Sequence, residues 1–322
     1  MKNAILIIVF LANTVNAQLR VEQLTTDSLV KEFVHEQTGR KINTIKFITG
    51  KMIKEQMVNM NLSLNDSLEL IKYVISDFNV DGKLDIVLCY AEGREGKRFY
   101  DGFYLNAFLS DSAGKYVNTD LTKRYGYFLG GIVNYSPGKN VFEVVNYFGI
   151  DKVNSKVIDT LKYFGGYFMN ANRSCQYGFD SIRYFTTSNW AASSSQYAYI
   201  TIYANGYIKK EMYNHGDKTT YKSYLKPELF KVFAQFVCEA NLWELKDRYE
   251  MEYVHDIGTS HLIINNKTSI KQIDDYGHWG NFSLGNLYEQ IKKMTNEADW
   301  KLIEKKEKNG KQKKLSRMPG SH

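Results

Sequence analysis

The chain contains little proline and little cysteine, and beyond its first residues it has no long apolar run. Only 3 of its 322 residues are Pro and 3 are Cys. The scarcity of proline, together with runs rich in Val, Ile, Tyr and Phe, favours β-strands. No CxxC pair or Cys/His spacing of a zinc site occurs. No later apolar run approaches the length of about 20 residues that a membrane-spanning helix needs. We therefore expect a strand-rich protein without a transmembrane segment.

The first residues have the pattern of a cleavable signal peptide. A short apolar run (AILIIVFLA) follows Lys2 and leads into a polar stretch. Val15 and Ala17 place small residues three and one positions before a cut, as signal peptidase requires. Residues 1–17 are therefore predicted to be removed by cleavage after Ala17, and no Cys follows the cut to carry a lipid anchor. We expect the mature protein to be soluble and either secreted or periplasmic.

No surplus of charge is spread over the body of the chain. The formal net charge is +7, but the excess lies in Lys2 and in the segment 301–322, so that residues 18–300 are neutral. An evenly basic face for nucleic acid is therefore not expected. The segment 301–322 is predicted to be a basic disordered tail, which could make a weak contact with an anionic envelope surface.

Periodicity divides the rest of the chain into two units, which together predict an α+β fold. Residues 18–175 begin with two helical candidates, one capped by Thr26 and one at 51–60, and continue as short strands. These strands predict a β-rich meander similar to a propeller blade. Residues 176–300 contain two hairpins, each followed by a helix, the second helix being capped by Ser283. The order ββα–ββα predicts a small domain with an antiparallel sheet.

A loop rich in Asp and Asn is the sharpest chemical feature. In DFNVDGKLD, which begins at Asp77, oxygen side chains take the first, third, fifth and ninth positions and Gly82 takes the sixth. Calcium binds six to eight oxygen atoms, and alternate residues of a tight loop can face one ion. Leu88 stands where an EF-hand needs a bidentate Glu, and the flanking segment resembles a strand. The loop is predicted to bind calcium without being an EF-hand; a metal-free turn is the alternative.

This loop resembles those of the integrin-type FG-GAP and VCBS repeats, whose pattern is D-x-(D/N)-x-D-G-x-x-D followed by a strand. The resemblance implies a structural calcium ion with side-chain ligands Asp77, Asn79, Asp81 and Asp85. The backbone carbonyl of Lys83, at the seventh position, is expected to complete the set. Those families repeat the loop in several blades, whereas this chain has it once, so a full propeller is not expected.

A second resemblance rests on the segments ITIYANGYI, ANLWELKDRYE and DDYG, together with Asp256. Through them the C-terminal half is similar to an uncharacterised family of small α+β domains of secreted bacterial proteins. Members of that family open with a Cys-Phe-Gly-x-Cys-Pro element, whereas this chain has NWAASSSQ there, without cysteine. The resemblance implies a secreted protein and no particular activity.

A group of His and Asp residues in the second unit leaves an enzyme as the alternative. Its members are His255, Asp256, His261, Asp274, Asp275 and His278. Two His with an Asp could ligate zinc or carry out acid–base chemistry, as in a hydrolase. No HExxH-type helix brings these residues together, and the simpler interpretation is that they are polar residues of loops and strand edges.

The cysteines leave one pairing undecided. Cys89 lies in an apolar strand and Cys238 on the apolar face of a helix, which predicts buried thiols. A bridge between Cys175 and Cys238 stays open, because spacing alone does not determine pairing.

The sequence thus favours an exported, non-enzymatic protein that is stabilised by calcium and binds a protein or glycan partner. The 24 tyrosines support this prediction, because Tyr supplies stiff, amphipathic contact area. No oligomeric state is predicted.

Overall fold

The computed structural model describes residues 19–60, 69–93, 100–122, 128–148, 153–171, 178–187, 196–250, 258–277 and 280–306. The predicted signal peptide, with its cut after Ala17, lies outside these residues. The described chain is strand-rich, with three largely antiparallel sheets and few helices, which confirms a β-rich α+β architecture. None of its helices is both long and apolar enough to cross a membrane.

Two helices precede the main strands, as predicted. Helix α1 (Asp27–Thr38) begins where the Thr26 hydroxyl accepts a hydrogen bond from the Leu29 amide at 3.3 Å. It ends at Gly39, whose φ of +71° suits a residue without Cβ. Helix α2 (Gly50–Asn59) is capped in the same way by Thr49. Both helices follow from local signals, a Thr cap and an apolar stripe.

The first sheet is built around its longest buried strand. It contains β1 (Ile45–Phe47), β2 (Tyr73–Ser76), β3 (Asp85–Gly93), β4 (Tyr100–Ser110) and β5 (Tyr116–Asp120). Strands β1 and β2 pair with successive parts of one edge of β3, and β4 pairs with the other edge. Strands β2 to β5 are thus consecutive antiparallel neighbours.

Strand β3 is buried on both of its faces. Ile86, Leu88 and Tyr90 pack with Phe33 and other residues of α1. The alternate side chains, such as Val87, enter a larger core that includes residues of α2 and of the second sheet. The first sheet therefore lies between α1 and the second sheet.

The second sheet is a four-stranded antiparallel meander. It contains β6 (Gly130–Ser136), β7 (Val141–Phe148), β8 (Val153–Phe164) and β9 (Tyr167–Asn170), in that order. Phe142, Val144 and Phe168 are buried in the core that it shares with β3. An isolated bridge pairs Ile71, two residues before β2, with Ile132 of β6.

The third sheet has eight strands, and the same part of the chain contains two helices. In chain order these are β10 (Ser181–Thr187), β11 (Gln196–Tyr203), β12 (Tyr207–Asn214), β13 (Asp217–Tyr224), α3 (Pro227–Ala240), β14 (Arg248–Tyr249), β15 (Thr259–Asn266), β16 (Ser269–Tyr276), α4 (Phe282–Glu297) and β17 (Lys301–Lys306). The spatial order is β14-β16-β15-β10-β11-β12-β13-β17. Apolar residues of α3 and α4 pack on one face of this sheet.

Three details differ from the sequence expectations for this unit. The order ββα–ββα omits β10, which joins the two predicted hairpins, and β13, which follows the first hairpin. The cap of α4 is Asn281, whose side chain accepts from the Leu284 amide, whereas Ser283 lies inside the first turn. The predicted disordered tail starts too early, because 301–306 forms β17 against β13. Its side chains are exposed, and its backbone pairs with β13, which no side-chain pattern reveals.

Helix α4 connects the two predicted units. Its first residue, Phe282, is 2% exposed and belongs to the core of the first two sheets. The Ser283 hydroxyl accepts from the Asn170 amide at 3.2 Å, and Asn286 donates to the Phe168 carbonyl. The boundary predicted near residue 175 therefore separates two sequence patterns that share packed side chains.

Two of the cysteines have defined states. Cys89 is a free thiol within the core, and burial raises its pKa to about 12. Cys238 of α3 is disulfide-bonded, which corrects the expectation of a buried core thiol. Cys175 lies outside the described residues.

We predict that Phe282→Ala destabilises both units together. Removing a buried Phe costs about 3–5 kcal/mol of unfolding free energy through lost burial and a cavity. All 4 Trp lie in the second unit, so Trp fluorescence reports on that unit while far-UV circular dichroism reports on both. Urea curves from the two probes should coincide and shift together. Leu302→Ala, at a side chain that is 59% exposed, is the control and should shift neither. Separate midpoints, with only one shifted, would contradict this prediction.

Candidate functional site

The calcium-type loop, residues 77–85, joins β2 to β3 and is anchored by a buried ring. Phe78 is 2% exposed. Its ring makes edge contacts with Phe142 and Phe168 of the second sheet, with centroids 5.7 and 6.1 Å apart. Asn140 also donates to the Asp77 carbonyl at 2.7 Å. The start of the loop is therefore held by residues distant in sequence.

The tip of the loop is wound around its own carboxylates. Asp77 accepts from the amides of Asp81 and Gly82 at 3.0 and 2.8 Å, and Asp81 accepts from the Lys83 amide at 2.9 Å. Gly82 has a φ of +84°, a conformation that favours glycine. The Asn79 side-chain oxygen accepts from the Asp81 amide at 3.1 Å. The alternating oxygen side chains thus shape the turn by accepting from loop amides.

Asp85 has a different environment from the other acidic residues of the loop. Its carboxylate is fully buried and accepts four hydrogen bonds: from the amides of Phe78 and Asn79 at 2.9 and 3.3 Å, and from the amide and hydroxyl of Ser110 at 2.7 and 3.0 Å. Burial raises the pKa of Asp85, and these hydrogen bonds oppose that shift. A carboxylate offers about four acceptor positions, so the protein already occupies those of Asp85.

The Ser110 hydroxyl also reaches the loop tip. It lies 3.1 Å from one carboxylate oxygen of Asp81 and 3.3 Å from the other. The Lys83 ammonium donates to the carbonyls of Asp111 and Ser112 at 2.6 and 3.2 Å. The end of β4 and the turn after it therefore form a wall beside the loop. The loop motif gives no signal for this wall, because the wall comes from another strand.

The donor chemistry of the loop suits calcium, since every candidate ligand is an oxygen atom and the ion prefers such donors. In the described residues, however, no three His, Cys, Asp or Glu side chains converge as a metal site. Asp77 and Asp81 are turned toward loop amides instead. Of the sequence-predicted set, Asp77, Asn79 and Asp81 lie together at the tip, and Asp85 lies behind them as a buried support.

The proposed His and Asp group of the second unit does not assemble in the part that is described. His261 on β15 faces Asp274 on β16, and their side chains lie 2.7 Å apart. Asp275 is the next residue of the strand, so its side chain points to the opposite face, where it is fully buried. His261 and Asp275 therefore cannot share one site. His255, Asp256 and His278 lie outside the described residues.

The face of the eight-stranded sheet opposite α3 and α4 carries a group of tyrosines; we call it the tyrosine face. Register places Tyr197, Tyr199, Tyr203, Tyr207, Tyr213 and Tyr224 on it, with Phe185 and His261. The rings of Tyr197 and Tyr213 are stacked 4.7 Å apart, and those of Phe185 and His261 are stacked 4.3 Å apart. Tyr197 is 43% exposed. The alternation of tyrosines in QYAYITIY is the sequence signal for this face.

A charged cluster lies among these rings. Glu211 is only 7% exposed and forms ion pairs with Arg183, Lys209 and Lys218. Burial alone would raise the pKa of Glu211, but hydrogen bonds from Lys218 and Lys209 outweigh it and hold the pKa below the ordinary range. Its contribution to stability is therefore present at neutral pH and is lost as the pH falls through that lowered pKa. Arg183 lies 4.1 Å above the Tyr199 ring.

Comparison with protein-family models, curated proteins and solved structures finds no match to this chain. Both resemblances stated from the sequence therefore stay predictions.

We predict that Asp85→Asn lowers the free energy of unfolding by about 2–3 kcal/mol, measured by urea denaturation. An amide has one acceptor oxygen, so it leaves buried N–H donors of the loop or of Ser110 unsatisfied, at a cost of about 1–3 kcal/mol each. Asp111→Asn is the matched control: that side chain accepts a single amide bond, from Lys115, in the exposed neighbouring turn. Equal stability of the two variants would show that Asp85 does not support the loop.

Proposed function

We propose that this chain is an exported, non-enzymatic binding module that recognises a protein or glycan partner through the tyrosine face. The observation that carries the proposal is that both helices of the second unit pack on one side of its sheet, whereas the tyrosine face is the other side, where Tyr197 and Tyr224 are 43% and 69% exposed. Tyrosine rings give large contact area at a small entropic cost, and neighbouring charged groups give direction to hydrogen bonds.

Export is supported by the disulfide at Cys238. Disulfides form and persist in oxidising compartments and are rare in the cytosol. The signal peptide predicted for residues 1–17 agrees with this compartment. A basic segment after β17 remains a candidate for weak contact with an anionic envelope surface.

We further propose that calcium stabilises the loop at 77–85. Asp77, Asn79 and Asp81 would be its side-chain ligands, with the carbonyl of Lys83, and Asp85 would support the turn behind them. The strand that follows and the antiparallel meander β2 to β5 support likeness to a single FG-GAP or VCBS blade. A calcium ion there would neutralise the carboxylates and hold the turn, and it would take no part in a reaction.

We predict that calcium raises the stability of the wild type. Extracellular sites of this kind bind with a Kd of about 10⁻⁴–10⁻³ M, so calcium at about 1 mM, which is about 1 to 10 times the Kd, adds about 0.4–1.4 kcal/mol. The melting temperature should rise in millimolar calcium at neutral pH, and the rise should shrink in acid, because the ligands must be deprotonated.

In Asp81→Ala the rise should disappear, whereas in Asp111→Ala, which changes the neighbouring turn, it should persist. A calcium response that is the same in all three proteins, or absent from all of them, removes the proposed site. Magnesium serves as a second cation, and it should give a smaller rise because it demands a tighter octahedral site.

We predict that a double variant, Tyr197→Ala with Tyr213→Ala, loses partner binding while keeping the fold. Aromatic anchors at interfaces contribute about 2 kcal/mol or more, and the loss of even one such anchor lowers the affinity by about 30-fold. The measurement is binding of the mature protein to a glycan array and to envelope proteins from its host, followed by calorimetry on any ligand found. Val58→Ala, at a side chain on α2 that is 67% exposed, is the control. A ligand bound equally by wild type and double variant would place recognition elsewhere.

A further inference from the structure

A cleft opens between α4 and the helix-covered face of the eight-stranded sheet, on the side opposite the tyrosine face. Its volume is about 530 Å³, within the usual range of small-molecule sites. Residues of β10, β11 and β12 form its floor, and successive turns of α4 form its roof. The position is separate from both the calcium-type loop and the tyrosine face.

The cleft exists because two very small residues lie where the helix crosses the sheet. Gly285 of α4 and Ala198 of β11 both line it. Glycine inside a helix costs about 1 kcal/mol relative to alanine, and a larger side chain at either position would fill the space. Gly285 thus weakens the helix at a position where a larger apolar side chain would fill the cleft.

The inner wall of the cleft is apolar and aromatic. Ile200 and Ile291 are almost fully buried. The rings of Tyr184 and Tyr288 are stacked 5.1 Å apart with an angle of 23° between them. Burial and, to a lesser extent, the nearby Asp275 carboxylate raise the pKa of Tyr288 well above its ordinary range. Burial also raises the pKa of Tyr184. Both rings therefore stay neutral at physiological pH. Such a surface favours a flat or aliphatic body.

The lining of the cleft is more positive than negative. Lys210 and Lys292 line it together with one acidic residue, Glu289. In the described part of the chain neither lysine has an ion-pair partner, and the Lys210 ammonium lies 5.8 Å from the centre of the Trp300 ring. Two cations beside an apolar cavity attract an anionic group, because part of the ligand's charge is shielded from water there.

We propose that this cleft binds a small amphipathic organic anion, with its apolar body between the Tyr184–Tyr288 pair and the isoleucines, and its carboxylate or sulfonate near Lys210 and Lys292. The residues that line the cleft indicate the class of ligand, which has an apolar body and one anionic group. This inference does not depend on the proposed partner of the tyrosine face. The chain would then present two separate binding surfaces, one on each face of the same sheet.

The test uses a matched pair of fluorescent probes, anilinonaphthalene sulfonate and its uncharged analogue N-phenylnaphthylamine. Each is titrated into the mature wild-type protein, and the stoichiometry and Kd are measured from the fluorescence increase. We expect one saturable site that binds the sulfonate several times more tightly than the neutral probe.

Two kinds of variant separate shape from charge. Lys210→Gln with Lys292→Gln should lower the affinity for the sulfonate probe by about tenfold, the sum of two modest charge contributions. The affinity for the neutral probe should stay nearly unchanged. Lys293→Gln, the adjacent lysine of α4 outside the cleft, is the control and should change neither. Gly285→Leu should abolish binding of both probes by filling the cavity; Ala198→Leu tests the same point if the helix does not tolerate leucine.

The proposal is overturned if the folded Gly285→Leu or Ala198→Leu protein binds the sulfonate as the wild type does. It is also overturned if the double lysine variant and the Lys293→Gln control behave alike. A neutral probe that binds as tightly as the sulfonate would show that the cleft selects shape without charge, which rejects the anionic class.

Discussion

Strand β3 is buried on both of its side-chain faces, and the first unit is arranged around this constraint. Its residues from Ile86 to Ala91 are all buried, with alternate side chains in the cluster under α1 and in the core shared with the second sheet. A strand buried on both faces needs an apolar layer on each side, so α1 packs on one face and the second sheet on the other. The continuous apolar run IVLCYA is the corresponding pattern in the sequence.

This burial also governs the loop before β3. Asp85 is the first residue of the strand, so its carboxylate is buried together with the strand. A buried carboxylate is tolerated only when it is hydrogen-bonded, and the loop amides and Ser110 supply those bonds. Phe78 fixes the other end of the loop in the same core. A calcium ion at the tip would therefore bind a turn whose two ends are already placed by packing.

The third sheet obeys a weaker constraint, because its helices cover one face only. Its central strands then alternate between a side that packs on α3 or α4 and a side that lies away from them. This alternation separates His261 from Asp275 and places six tyrosines on one face. On the other face, the small residues Gly285 and Ala198 leave a cleft. The two binding surfaces that we propose lie on opposite faces of one sheet because side chains alternate along each strand.

The local features of this protein could be determined from the sequence by itself: the Thr26 cap and stripe of α1, the two hairpins, the apolar run of β3 and the winding of the 77–85 loop. Each depends on neighbouring residues, whose propensities and hydrogen bonds act over a few positions. Tertiary structure alone decided that Ser110 supports Asp85, that Phe282 enters the core of the other unit, and that 301–306 adds a strand to the sheet edge. Those contacts join residues far apart in the chain, and chain order carries no direct signal of which distant groups burial brings together.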